Sequence, residues 1–247
     1  MTKVAFIGAG NMNGAIISGL IKQGFNSQNI IVSNPSVQKR LALHQQLDIH
    51  HTENNLEAAK FADYIVLGVK PHLLVQVCKD IAQQLDVTNK CFISVAAGTT
   101  IQQIENALAT PCAVIRTMPN TPSQLGLGVT GIFASDQTNQ QHKYFAENLM
   151  SAVGIVKWLD DENGIDKITA ISGSGPAYFF LFMEAMEQQA IALGFSEKDS
   201  RELVQQTALG AAKMVESNDL PISQLRENVT SKGGTTHAAL STFIDGG

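Results

Sequence analysis

With 247 residues, 44% of them apolar and 16% charged, the chain has the material for a buried core in one large or two smaller domains. A formal net charge of -5 without a basic cluster argues against nucleic acid or an anionic membrane surface as a partner. No apolar stretch is long enough to span a bilayer, and the start Met-Thr-Lys-Val-Ala-Phe-Ile-Gly enters a strand without a signal pattern, so a cytoplasmic protein is expected.

The apolar run Val4 to Ile7 closes on Gly8-Ala9-Gly10-Asn11-Met12 and continues in a helix-compatible segment to Leu20. Strand, tight turn and helix in that order open a dinucleotide-binding unit: Gly8 permits the turn and Gly10 lets backbone approach a diphosphate. The helix N-terminus supplies unpaired N–H groups. The third glycine of the pattern falls at Asn13, with Gly14 one residue late, so close strand-to-helix packing is expected to rest on Gly14 and Ala15.

A second strand runs from Asn29 to Ser33 and breaks at Ser33-Asn34-Pro35-Ser36. Ser33 and Asn34 stand where a carboxylate would bond a ribose 2′-hydroxyl, and Lys39 and Arg40 follow one turn into the next helix. Neutral donors with nearby cations suit a 2′-phosphate and favour NADPH over NADH. The alternative is plain turn chemistry beside a solvated helix face.

The alternation continues with a short strand at Leu47 to His51, a helix at Asn54 to Phe61 and a buried strand at Asp63 to Val69. Pro71 starts a helix towards Leu85, which puts Val69, Lys70 and Pro71 at a strand tip, beside the nicotinamide half of a dinucleotide. Cys91 to Gly98 and Cys112 to Arg116 read as further strands, separated by a helix beginning near Thr99 or Thr100. Two prolines around Asn120 impose an ordered loop. Strands at Gly128 to Phe133 and Ile155 to Trp158 flank a helix from about Asp136 to Met150. Such units form a doubly wound α/β sheet. Cys78, Cys91 and Cys112 have no paired spacing, and the six histidines show no ligand spacing, so free thiols and no metal site are expected.

From Asn163 onward no strand is predicted; Ile165 to Leu193 and Glu197 to Val215 have helical periodicity, and Ser196 with Asp199 resembles a capping box. The expected domains are therefore 1–160 and 161–247, divided in the acidic stretch near Asp160-Asp161-Glu162. Two stretches there are more than helix. Ile171-Ser172-Gly173-Ser174-Gly175-Pro176-Ala177-Tyr178 reads either as an anion seat at a helix N-terminus or as a kink where helices pack closely. Val229-Thr230-Ser231-Lys232-Gly233-Gly234-Thr235-Thr236-His237 reads as a carboxylate-collecting loop or as a plain one.

Together the segments GAGNM, LGVKP at 67–71, SVAAG at 94–98, RTMPNTP at 116–122, ISGSGPAYFF at 171–180 and NVTSKGGTTH at 228–237 resemble the pyrroline-5-carboxylate reductases. The resemblance implies an N-terminal Rossmann domain, an all-α C-terminal dimerisation domain and a homodimer, often five dimers in a ring. It also implies reduction of L-1-pyrroline-5-carboxylate to L-proline with NADPH, NADH being less favoured. Carried over by position, Ile7, Gly8, Ala9, Gly10, Asn11, Met12, Ser33, Asn34, Asn55, Val69, Lys70, Pro71, Ala96, Ala97, Gly98 and Asn120 touch cofactor. Ser174, Val229, Thr230, Ser231, Gly233, Gly234, Thr235 and Thr236 line the substrate, with N–H groups of Gly233, Gly234 and Thr235 on its carboxylate. The hydroxyl of Thr236, the catalytic candidate, bonds the imine nitrogen. The chain departs from the family at Asn13, for a small residue, and at Lys232, for proline; it also stops at Gly247, short of a final family helix, so a truncated or partly ordered C-terminus is expected.

Two rivals share parts of this pattern. A β-hydroxyacid dehydrogenase would carry a helix lysine as acid and base, which SGSGPAYFFLFMEAM lacks. A non-catalytic NADPH-binding regulator would need no carboxylate seat.

Overall fold

The computed structural model describes residues 2–246; the outer domain limits expected at 1 and 247 lie outside them. Short runs of β-branched and aromatic residues form the strands β1 (Val4–Ile7), β2 (Ile30–Ser33), β3 (His50–Thr52), β4 (Tyr64–Leu67), β5 (Cys91–Ser94), β6 (Ala113–Met118), β7 (Gly128–Ala134) and β8 (Gly154–Trp158). They lie in one sheet of order β3-β2-β1-β4-β5-β6-β7-β8. The first six run parallel; β7 is antiparallel to β6, and β8 runs with β7.

Alternate residues of the central strands face opposite cores, and helices cover both. Ala5, Ile7, Ile65, Leu67, Phe92 and Val114 point to one side, under α3 (Asn55–Phe61), α4 (Pro71–Ala82) and α5 (Ile101–Leu108). Val4, Phe6, Tyr64, Val66, Ile93 and Ile115 point to the other, under α1 (Asn11–Lys22) and α6 (Gln140–Ser151), with Leu43 and Leu47 of α2 (Val37–Leu47) at the margin. This is the doubly wound arrangement. Burial on both faces is why these strands read as continuous apolar runs.

Several boundaries move for local reasons. The third strand begins at His50, because Asp48 ends α2 in a left-handed conformation (φ 52) and returns its N–H to His44 O. The sixth helix begins at Gln140, capped by Asn139, rather than near Asp136. The run from Ile165 to Leu193 is not one helix: α7 (Gly164–Ile168), a π-helical turn at Thr169–Gly173 and α8 (Gly175–Ala192) follow one another. Then come α9 (Glu197–Glu216), α10 (Ile222–Asn228) and α11 (Thr235–Asp245). Ser196 Oγ accepts the Asp199 N–H at 3.1 Å, but its hydroxyl donates to the Asp199 carboxylate, so the return bond of a full capping box is replaced by a side-chain bond.

The chain divides into two compact units, one ending at Pro176 and one beginning at Ala177. That division falls later than the boundary expected at 160. The Glu162 carboxylate accepts from both Arg116 of β6 (2.9 Å) and the first N–H of α5 (2.8 Å). Ile165 is buried, and Ile168 lies over Gly131 of β7. These contacts hold the acidic stretch and α7 to the sheet.

Candidate active site

The carboxyl ends of β2, β1, β4, β5 and β6 line up along one sheet edge, with Ser33, Ile7, Leu67, Ser94 and Arg116 in register. Chain order reverses between β1 and β4, the switch point at which open α/β sheets hold ligands. Residues expected at the cofactor follow these tips in turn: Ile7 to Met12 after β1, Ser33 and Asn34 after β2, Val69 to Pro71 after β4, Ala96 to Gly98 after β5, and Asn120 after β6. The sheet brings this set together.

Gly8 makes the turn. It has φ of 103°, donates its N–H to Ser33 O (2.7 Å), and has no room for a side chain, since a Cβ would lie 2.6 Å from Gly68 O. Gly10 is the N-cap of α1; no side chain caps the helix, and no acidic residue stands in its first turn. The first N–H groups of α1 are thus presented at the positive end of its dipole, beside an open cavity of about 920 Å³ bordered by Ala9, Gly10, Asn11 and Lys39. These features fit a diphosphate without a basic residue.

At the β2 end, several candidates bond one another. Ser33 Oγ donates to Asn55 Oδ1 (2.7 Å), and Asn34 Oδ1 accepts the Ala9 N–H (3.2 Å), tying β2 to the glycine turn. The two cations separate. The Arg40 guanidinium is spent on Asn34 O (3.0 Å), Pro35 O (3.2 Å) and Glu53 (3.1 Å), while exposed Lys39 borders the cavity. No carboxylate ends β2 itself.

At the other tips, Lys70 is the N-cap of α4 and Pro71 opens it. Thr117 Oγ1 donates to Ser94 O (2.9 Å), securing β6 to the end of β5. Asn120 is buried with both ends of its amide in use: Nδ2 donates to Ser172 O and Oδ1 accepts the Val129 N–H, each at 2.9 Å. It is a brace between the β6 loop, β7 and the π-helical turn. The Ser174 N–H reaches Thr169 O (2.8 Å), closing a widened, π-helical turn just before α8.

The remaining substrate candidates lie in the second unit. Val229, Thr230 and Ser231 link α10 to α11, with Thr230 held by Arg226 O (2.6 Å) and Glu227 O. Gly233 has φ of 75°, and Gly234 is the N-cap of α11, again without a side-chain cap. The stretch expected as a loop therefore ends in a helix, with Thr235, Thr236 and His237 in its first turn. The Gly234 N–H is spent on Ser231 O (3.0 Å) and the first intrahelical bond runs from the Ala238 N–H to Gly234 O, so the donors at the helix start that can meet a carboxylate are those of Thr235, Thr236 and His237.

Residues 162–247 match the family model "Pyrroline-5-carboxylate reductase dimerisation", and residues 3–98 match "NADP oxidoreductase coenzyme F420-dependent". A pyrroline-5-carboxylate reductase of Vibrio alginolyticus is 54% identical over 242 residues, 98% of this chain and 89% of that protein. The chain belongs to the pyrroline-5-carboxylate reductase family. Among solved structures, the pyrroline-5-carboxylate reductase of Coxiella burnetii is 41% identical with a TM-score of 0.92, over 99% of this chain and 91% of that one. The pyrroline carboxylate reductase of Plasmodium falciparum, solved with NADP bound, is 30% identical with a TM-score of 0.88, over 99% and 90%. These likenesses support a nicotinamide cofactor on the first unit.

For a member of the pyrroline-5-carboxylate reductase family, one local feature runs against the sequence pattern. Close packing behind the glycine turn does not rest on Gly14, where a Cβ would make only ordinary contact with Leu43 at 3.5 Å. It is Asn13 that fills the space, 1% exposed, and Gly68 that makes room. Asn13 was legible as a departure; Gly68, 55 residues on in the chain, carried no signal of its partnership.

Proposed function

We propose that this chain reduces L-1-pyrroline-5-carboxylate to L-proline in the cytoplasm, with NADPH preferred over NADH, and acts as a homodimer that assembles further, up to five dimers. The observation that carries the reading is the pair of uncapped helix starts that follow glycine turns, α1 after Gly8 to Gly10 and α11 after Gly233 and Gly234. One suits a diphosphate and the other a small carboxylate.

When bound, the nicotinamide supplies a hydride. The carbon of the protonated C=N bond accepts it, the π pair moves to nitrogen, and the iminium becomes the ring amine. The chain's own part is placement. N–H groups at the start of α11 hold the carboxylate, and the Thr236 hydroxyl bonds the ring nitrogen, fixing the reacting carbon. No side-chain acid is assigned, since water protonates the imine. Ser33, Asn34 and Asn55 hold the ribose, and Lys39 supplies charge to a 2′-phosphate in place of Arg40, which is engaged by Glu53. Lys70, Pro71, Ala96, Ala97 and Gly98 border the nicotinamide half. Asn120 and Ser174 support that edge.

The direct test is loss of NADPH absorbance on adding L-1-pyrroline-5-carboxylate, with NADH in parallel. No oxidation of either cofactor would overturn the reading. Thr236→Ala is expected to lower kcat by roughly 10- to 1,000-fold with NADPH affinity unchanged, the scale of one lost positioned donor. Unchanged kcat would remove Thr236 from the reaction.

A further inference from the structure

Asn13 is the third residue of α1, behind the glycine turn at the switch point between β1 and β4. Its Nδ2 donates to Gly8 O at 2.7 Å and to Ile7 O at 3.4 Å, the last two carbonyls before Ala9. Its Oδ1 is buried without a partner. Directly across, Gly68 continues β4 and donates its N–H to Ile7 O at 2.9 Å. A Cβ placed on Gly68 would fall inside the Asn13 carboxamide, and a Cβ placed on Gly8 would strike Gly68 O. Gly8, Asn13 and Gly68 thus interlock, with no free volume for a methyl group at either glycine.

In the usual pattern a third glycine lets the helix approach the strand. Here the bulk stands on the helix and the missing side chain is on β4, so the same closeness is reached by exchange. A buried amide with an unsatisfied oxygen is a worse filler than an apolar side chain of similar size. What Leu could not do is bond the Gly8 carbonyl.

We infer that Asn13 is a positioning residue for the cofactor: its amide fixes the Gly8 peptide, and thereby the turn whose N–H groups meet the diphosphate, and Gly68 is its required counterpart. This rests on the reading of Gly8 to Met12 as the diphosphate seat. Neither residue need touch the ligand.

Four variants of the full chain, titrated with NADPH by fluorescence and assayed for turnover and thermal unfolding, decide it. Asn13→Leu and Asn13→Ala are each expected to raise the NADPH Kd about 10-fold, the worth of one lost hydrogen bond, with KM for pyrroline-5-carboxylate within about twofold. Asn13→Leu, which fills the notch, does so without a lower Tm, which a merely structural role would not produce. Gly68→Ala weakens binding by about 100-fold, and Asn13→Ala/Gly68→Ala recovers about 10-fold of that loss because the collision is gone. Should Gly68→Ala fail to fold, recovery of folded protein by the double variant carries the coupling. Wild-type affinity in Asn13→Leu, or a double variant no better than Gly68→Ala, would overturn the inference. Failure of the parent chain to bind NADPH would instead overturn the reading of the seat.

Discussion

In the first unit, β1, β4 and β5 have every residue buried, and helices close both faces of the sheet. In α8, by contrast, Phe179, Phe180 and Leu181 are 67%, 63% and 67% exposed, with Tyr178 and Phe182 beside them. Among the described residues from Ala177 onward only Ser200 and Val204 are buried. The two regions are comparably apolar along these stretches and differ in what covers them. Five consecutive apolar or aromatic positions go more than once around a helix, so no single neighbouring face can cover them. A helix apolar on all sides belongs in an interior, and the match of this unit to the dimerisation family model supports association with a further copy of the chain. The Phe182 and Phe243 rings, 5.9 Å apart and edge to face, make one aromatic contact within the chain. The first unit carries its own core, whereas the helical unit leaves its apolar side chains largely uncovered within one chain.

Changes in the first unit should therefore act on cofactor and stability without touching association, and changes in the second should do the reverse. The largest effect is expected for Gly8→Ala. Its φ of 103° and the Gly68 O contact leave no unstrained place for a methyl group, so NADPH affinity should fall by about 100-fold or more while light scattering reports the parent mass. Parent-like NADPH binding would show that the turn is not the seat.

A smaller effect concerns acid. Burial lowers the pKa of His142, whose ring stands edge-on to Tyr64 at 5.8 Å. Burial, then His44 and Arg40, lower that of His51. The folded state holds both neutral where the unfolded chain would take up protons. Their contribution is complete above pH 6.5 and declines as pH falls from 6.5 towards the lowered values. His142→Phe should remove part of this decline, by about 2 °C in Tm at the acid end, with no change in association. An undiminished acid slope would locate it elsewhere.

Much of the first unit was legible because buried parallel strands leave continuous apolar runs and the turns between them are marked by Gly, Pro and Asn. Pro71 at the start of α4 and Thr100 as the cap of α5 are such marks. What stayed hidden depends on neighbours distant in sequence. Asn34 and Asn55 read from the sequence as ligand contacts, yet each also bonds a residue distant in the chain, Asn34 the Ala9 N–H of the glycine turn and Asn55 the Ser33 hydroxyl at the end of β2. Glu162, in the acidic stretch where the sequence places the domain boundary, fastens Arg116 and the start of α5, which ties that stretch to the first unit. In the second unit, α10 and α11 were missed because they are short or begin in a run of Gly and Thr, which favours turns. The glycine-rich segment before α8 reads two ways in the sequence, and a π-helical turn, which leaves no period in the sequence, joins α7 to α8 there.

The contrast between the covered sheet and the uncovered helix is tested most directly on the exposed aromatic stretch of α8. Phe180→Asp tests it by placing a charge amid the exposed aromatic stretch of α8, with mass by light scattering, NADPH affinity and turnover measured on one preparation. The account predicts a monomer with NADPH Kd within about twofold of the parent and turnover lower by about 100-fold or more. A monomer that turns over at the parent rate would contradict it.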